Sequence, residues 1–220
     1  MKTFTKLAAL AAAAILTGCV NNQAPYDYTA FKASNPRSIL VLPPINESVD
    51  VNAVNGMLAR TTLPLAESGY YVFPIAVVQQ TFRQNGLDNP KDIHAVQLDK
   101  LNEIFGADAV LYLTVKNYGT SYLVIMSDTS VTADAVLKDA RTGQKLWSGT
   151  ATASSSEGKG NQGLMAMLVM AVIEQIASNV GDKGYDVAAI TSDRLLSAGG
   201  SKGILHGPRS PLHLKIEAAE

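Results

Sequence analysis

Two continuous apolar runs, SILVLPP from Ser38 and DAVLYLTVK from Asp108 to Lys116, restrict the folds open to this chain. Each is too short for a buried helix and lacks the alternation of a half-exposed strand, so each reads as a strand covered on both faces. Strands of that kind need helices above and below them, and the residues between the two runs supply them. Val49 to Ser68 places Val51, Val54, Leu58, Thr62 and Leu65 at intervals of three and four; Gly69 stops this helix and Pro64 is expected to kink or break it. Tyr70 to Pro74 reads as a second strand, Ile75 to Gln84 as a second helix ending at Asn85-Gly86, and Ala95 to Phe105 as a third, capped by Gly106. Strand, helix, strand, two helices, strand is the order of an alternating layer protein around a central sheet.

After Lys116 the pattern changes. Ser121 to Ser127, Thr129 to Lys138 and Gln144 to Ala153 read as consecutive strands, the last two joined by the turn Asp139-Ala140-Arg141-Thr142-Gly143. There an Asp can bind its own backbone and a Gly can take positive φ, so a tight hairpin is expected. The fold class predicted is therefore α/β: a mixed sheet with a βαβααβ start, followed by an antiparallel meander, with helices packed on it. A Gly/Ser-rich stretch from Ser154 to Gly163 precedes Leu164 to Val180, the most apolar segment of the later chain. Its ten residues before Glu174 are about half the roughly 20 needed to span a bilayer, so a core helix is expected. Met165, Met167 and Met170 fall on more than one side of that helix, which makes them the predicted interface of a homodimer. A last helix is expected from Asp186 to Ser197.

The amino terminus gives an address. Lys2 and Lys6 precede a ten-residue apolar run, Leu7 to Leu16, and then Leu16-Thr17-Gly18-Cys19, which holds the only cysteine of the 220 residues. The run is too short to cross a bilayer and matches a secretory signal. The charged start, apolar core and small residues before Cys19 resemble the lipobox of bacterial lipoproteins, in which the thiol receives a diacylglycerol and becomes residue one. Lipid on the thiol would end its redox and ligand chemistry, and the chain would have no disulfide. Val20, Asn21 and Asn22 follow where lipoproteins kept in the inner membrane typically carry Asp; its absence resembles cargo sorted to the outer membrane. Losing Lys2 and Lys6 takes the formal charge from −1 to −3, which argues against nucleic acid as a partner. The predicted division is a signal over 1–18, a tether over 19–36, one α/β domain over 37–198 and a loose tail over 199–220.

No reactive constellation emerges. His94, His206 and His213 are the only histidines, and none has a second ligand at metal-binding spacing. Ser154-Ser155-Ser156 lacks the Gly-x-Ser-x-Gly elbow. Around Gly158-Lys159-Gly160 a phosphate loop fails twice, with Ala153 in place of its first Gly and Gly160 in place of its Ser or Thr. Glu103 and Asp108 are expected on an exposed helix face and at a strand entry, not paired in a cleft. No enzyme activity, metal or cofactor is predicted.

RSILVLPP, GADAVLYLTVKNY and VLKDARTGQKLWSGTAT together resemble the pattern shared by the curli-secretion lipoprotein CsgG, the amino-terminal domain of the Tol-associated protein TolB and related envelope lipoproteins. The likeness covers roughly Arg37 to Thr152. Signal and tail included, the sequence resembles a family of Gram-negative outer-membrane lipoproteins that includes a meningococcal genome-derived antigen. What these resemblances imply is an α/β outer-membrane lipoprotein, facing the periplasm or the cell surface, in an envelope transport or secretion assembly. No catalytic residue carries over. Unlike the curli channel, the sequence shows no pair of long alternating strands for a transmembrane barrel, so a pore is not expected. The expected function is that of a structural or adaptor subunit, self-associating and binding another envelope lipoprotein or a CsgG-like channel. The alternative is a periplasmic binding module that holds a small amphipathic ligand, lipid or peptide, between sheet and helices.

Overall fold

The computed structural model describes residues 26–122, 127–157, 183–200 and 202–213. One mixed sheet organises them, in the order β3-β1-β4-β5-β6, with a short β2 also paired to β4. The strands are β1 (Ser38–Val41), β2 (Ile45–Asn46), β3 (Tyr71–Val72), β4 (Ala109–Tyr122), β5 (Ser127–Asp139) and β6 (Lys145–Ser154). β1 runs parallel to both β3 and β4, whereas β4, β5 and β6 are antiparallel neighbours. The expected mixed sheet, with its parallel start and antiparallel finish, is thus present.

Helices cover both faces of the parallel half. On one side lie α1 (Thr29–Ser34), α2 (Ala53–Glu67) and α6 (Lys183–Leu196); on the other lie α3 (Ile75–Gln84), α4 (Pro90–His94) and α5 (Leu98–Phe105). β1 shows why its run had to be continuously apolar. Ile39 and Val41 enter the first core while Leu40 and Leu42 enter the second, and all four are buried. α3 begins and ends where expected; α5 starts three residues late because α4, opened by the Asn89 cap and Pro90, takes the residues before it.

Pro64 does not break α2, which runs on through Glu67. A proline there leaves the Arg60 carbonyl without its helical donor. Ser192 Oγ on α6 donates to that carbonyl at 2.9 Å, so the neighbouring helix satisfies it. Of the expected stripe on α2, Leu58 and Leu65 are buried and Val54 and Thr62 only half-buried; Ala53, Gly56, Met57 and Thr61 also face inward, while Val51 precedes the helix and lies in solvent. Small residues let α2 approach the sheet closely, and hydropathy alone does not register them.

Further expectations are corrected. No separate strand spans Ser121 to Ser127. β4 continues to Tyr122, which pairs with Ser127 of β5, and residues 123–126 lie outside the described ones. The hairpin is therefore longer than the sequence suggested, with strands of 14 and 13 residues. Contrary to the reading of Asp108 to Lys116 as covered on both faces, and of no long alternating pair, burial alternates from Leu111 onward; Leu111, Leu113 and Val115, with Val131, Ala133 and Ala135 on the facing strand, lie in the core beneath the helices. Among the described residues no helix is long and apolar enough to cross a membrane.

The supposed tether and tail are, where described, parts of the domain. Phe31 on α1 is buried, the Tyr26 hydroxyl accepts from Ser148 N at 2.9 Å, and Tyr28 Oη donates to the Gly203 carbonyl. Residues 202–213 close the same face. Ile204 is buried, Lys202 and Leu205 offer their carbonyls to Trp147 Nε1 and Tyr70 Oη, and Gly207 N and Arg209 N donate to Ser68 O and Gly69 O. Tyr26, through its hydroxyl on Ser148 N, and the Arg194 guanidinium, which donates to Thr152 O, together blunt the open edge of β6.

Candidate functional site

The sheet has two poles. At one pole the starts of β1 and β4 meet the turn between β5 and β6. In that turn Asp139 Oδ1 accepts from Arg141 N and Thr142 N at 2.9 and 2.8 Å, and Gly143 takes a φ of 72°, as the sequence led one to expect. Asp139 Oδ2 accepts from Ser34 Oγ at 2.6 Å, which locks α1 onto the turn. Asp108 Oδ2 accepts from Arg37 N, Ser38 N and Ser38 Oγ at 3.0 to 3.1 Å, so it ties the two parallel strands at their entry. Ser34, Asn35, Arg37, Asp108 and Arg141 enclose an open polar cleft of about 360 Å³.

Asp139 also yields a pH prediction. Burial alone would raise its pKa, but the bonds from Ser34, Thr142 and Arg141 outweigh this and hold it below the ordinary 3.8. A depressed folded-state pKa contributes stability above the unfolded value and loses it as pH falls through the folded one. Asp139→Asn is therefore expected to lower stability at neutral pH by about 1–3 kcal/mol and to flatten the acid limb below about pH 4. Urea unfolding at pH 7 and at about pH 3 checks this; equal losses at both pH values would contradict it.

At the carboxyl end of β1 lies a second cleft, of about 200 Å³, between Pro43, Val54 and Asn55 on one side and Gln79, Arg83 and Leu87 on the other. Here the neighbours of β1 diverge, β3 to one side and β4 to the other, which is where open α/β sheets commonly hold ligands. His94 fastens Pro43, one of the lining residues. Nε2 faces the Pro43 carbonyl at 2.9 Å and so carries a proton, the ring meets Tyr112 edge-on at 5.2 Å, and burial pushes its pKa down.

Toward the hairpin tip, the loop joining β2 to α2 is braced from within. Asn46 Oδ1 accepts from Ser48 N and Oγ, Asn46 Nδ2 donates to Asp50 O at 2.8 Å, and Asp50 Oδ1 accepts from Asn52 N at 2.8 Å. Glu47 N donates to Val115 O, and Lys116 pairs with the Glu47 carboxylate at 2.7 Å. This frame holds Val49 and Val51 outward, at 100% and 85% exposure. Val51 thus lies in a loop and not in the helix expected over Val49 to Ser68. The signal was there, in Asn46, Ser48, Asp50 and Asn52 at every second position, the residue types that bind local backbone and resist helix.

The residues singled out from the sequence fare differently. Cys19, Met165, Met167 and Met170 lie outside the described residues, as do the helix expected over Leu164 to Val180 and Gly158-Lys159-Gly160. Ser154 Oγ, Ser155 Oγ and Ser156 N all donate to Asp128 Oδ1, fixing the end of β6 against the start of β5. Glu103 pairs with Lys100 on the exposed side of α5, away from Asp108. In the tail, His213 Nδ1 donates to the His206 carbonyl, and His206 Nδ1 lies 3.2 Å from Ser210 Oγ. Among the described residues no three His, Cys, Asp or Glu side chains form a metal-binding group.

A layered α/β domain behind an acylation-type amino terminus is the plan of an envelope lipoprotein. The chain belongs to the family described as "Putative lipoprotein GNA1162-like", whose profile matches residues 26–209. It is 54% identical over 201 residues to "Putative lipoprotein NMB1124/NMB1162" of Neisseria meningitidis serogroup B, spanning 91% of this chain and 94% of that one. The crystal structure of lipoprotein GNA1162 from Neisseria meningitidis is similar with a TM-score of 0.55 and 58% identity, over 66% of this chain and all of that one. The family match begins at Tyr26, which agrees with the packing of Tyr26, Tyr28 and Phe31 on the domain.

Proposed function

We propose that this protein is a lipoprotein anchored to the outer membrane through Cys19, whose domain serves as a structural or adaptor subunit of an envelope transport or secretion assembly. The observation that carries the docking role is the braced loop from Ile45 to Asn52. Two valines held rigidly in water lose little conformational freedom on binding, so a partner's apolar pocket gains most of their burial. The CsgG- and TolB-like pattern from Arg37 to Thr152 supports the kind of assembly, and Met165, Met167 and Met170 are the proposed contacts of a homodimer within it. The test is a photo-crosslinking side chain at Val49 in intact cells, with Val77 on α3, 59% exposed, as the control position. A discrete adduct is expected at Val49 alone, and Val51→Asp should cut its yield about tenfold. The same adducts from both positions, or none from Val49, would refute the docking role.

The cleft at the end of β1 favours a second reading, a binding module for a small amphipathic molecule. Native mass spectrometry of gently purified protein separates the two: a co-purified lipid or peptide, lost in Val54→Trp, belongs to the second only.

A further inference from the structure

The cleft at the end of β1 and the valine loop adjoin one another. The turn Asp50–Ala53, closed by Ala53 N on Asp50 O at 3.3 Å, runs straight into α2, with Asn52 already in helical geometry. Val51 therefore stands one helical turn before Val54 and Asn55, about 5–6 Å away between Cβ atoms. Those two residues form the α2 wall of the cleft, so its rim continues onto the exposed side chain of Val51. At about 200 Å³ the cleft falls below the roughly 300–1,000 Å³ of pockets that enclose a whole small ligand. What enters it is one projecting group of something larger, and a larger body is already proposed at Val49 and Val51.

The lining restricts that group. Pro43, Val54, Leu87 and Ile93 make it apolar. Among the described lining residues Arg83 and Asp88 are the only charges, and they face each other at 3.6 Å, so the cleft sums to zero and favours an uncharged occupant. Asn55 on α2 and Gln79 on α3 stand on opposite walls, and neither side-chain amide has a hydrogen-bond partner among the described residues. Each offers donors and an acceptor, which is what a peptide group requires. The sheet edge itself offers little, because Pro43 and Pro44 have no N–H and the Pro43 carbonyl is engaged by His94. Strand addition is blocked there, and recognition of a main chain falls to the two amides. A lipid chain would instead press methylenes against both amides and leave them unpaired. In an extended segment, side chains two residues apart project from one face about 6.6–7 Å apart, close to the step from the cleft to Val51.

We propose that the cleft and Val51 form one groove for an extended, uncharged peptide segment of the partner, with apolar side chains at alternate positions. One fills the cleft, the next covers Val51, and Asn55 and Gln79 hold the peptide groups between them. This groove rests on the docking role of the valine loop and gives the cleft its occupant. Photo-crosslinking side chains are placed at Gln79 and, separately, at Val49 of the full chain in intact cells. Both are expected to capture the same protein, at sites that peptide mapping brings within one segment of about ten residues. Val77, two positions from Gln79 on the same helix, stays without an adduct. Val54→Trp, which fills the cleft, should cut the yield at Val49 about tenfold, and Asn55→Ala, at an exposed position where the fold is insensitive, about threefold. A synthetic copy of the mapped segment, titrated onto the purified chain, should shift the side-chain amide signals of Asn55 and Gln79, and a copy with Asp at the cleft residue should not. No adduct at Gln79, together with a Val49 yield indifferent to Val54→Trp and Asn55→Ala, would overturn the groove and leave the docking role of the loop standing. A lipid or other small molecule captured at Gln79, or adducts mapped to two different proteins, would make the cleft a separate site and overturn the groove as well. Absence of any adduct at Val49 in the unsubstituted chain would remove the docking role itself, and the groove with it.

Discussion

Trp147→Ala is expected to lower stability by about 3–5 kcal/mol and the melting temperature by roughly 10 °C. Trp147 is among the largest fully buried side chains, 1% exposed, in the first core with Leu195 and Leu196 of α6 and Ile204 of the tail. Its indole Nε1 donates to the Lys202 carbonyl at 2.9 Å, so one residue of β6 joins sheet, helix and tail. Trp147→Phe separates the two roles. It restores most of the apolar volume and removes the donor, so a smaller loss, about 1–2 kcal/mol, is expected. Urea denaturation of both variants measures the difference, and an alanine variant with the wild-type midpoint would remove Trp147 from the core argument.

How far this arrangement could be read in advance follows from which interactions are local. β1, α3 and the turn at Asp139 were legible because each is determined by residues next to one another: an uninterrupted apolar run, a regular helical repeat closed by Asn85-Gly86, an Asp and a Gly in a short turn. α1 and the tail were not. α1 has six residues, too few for a period to show, and holds its place through Ser34 on Asp139, Tyr28 on Gly203 and Tyr26 on Ser148, partners 105 to 175 positions away. No window along the chain contains both ends of such a bond. Pro64 misled for the same reason, since its correction comes from Ser192 on another helix. In the candidate sites, the polar spacing of the valine loop was readable, whereas the meeting of Arg37 with Arg141 required the sheet to be assembled first.

Ending the chain after Gly200 is expected to cost about 4 kcal/mol or more, although glycines and prolines give that segment the look of a dispensable tail. Burial of Ile204 alone contributes about 1.5–3 kcal/mol, and truncation would also leave Trp147 Nε1, Tyr70 Oη and Ser68 O without partners in a region shut off from water. The Tyr70 phenol reports the dryness of that region, because burial pushes its pKa far above its ordinary 10. Gly207→Ala probes the same docking without removing atoms. A Cβ there would stand 2.6 Å from Gly69 O and 2.9 Å from Tyr70 Cδ1, and backbone cannot yield as a flexible side-chain end would. The expected cost is about 1–3 kcal/mol, with faster hydrogen exchange at the Gly207 and Arg209 amides, which donate to Ser68 O and Gly69 O, while the amides of β4 remain protected. Unchanged exchange at Gly207 and Arg209, together with a truncated chain as stable as the full one, would return the segment to the status of a loose tail.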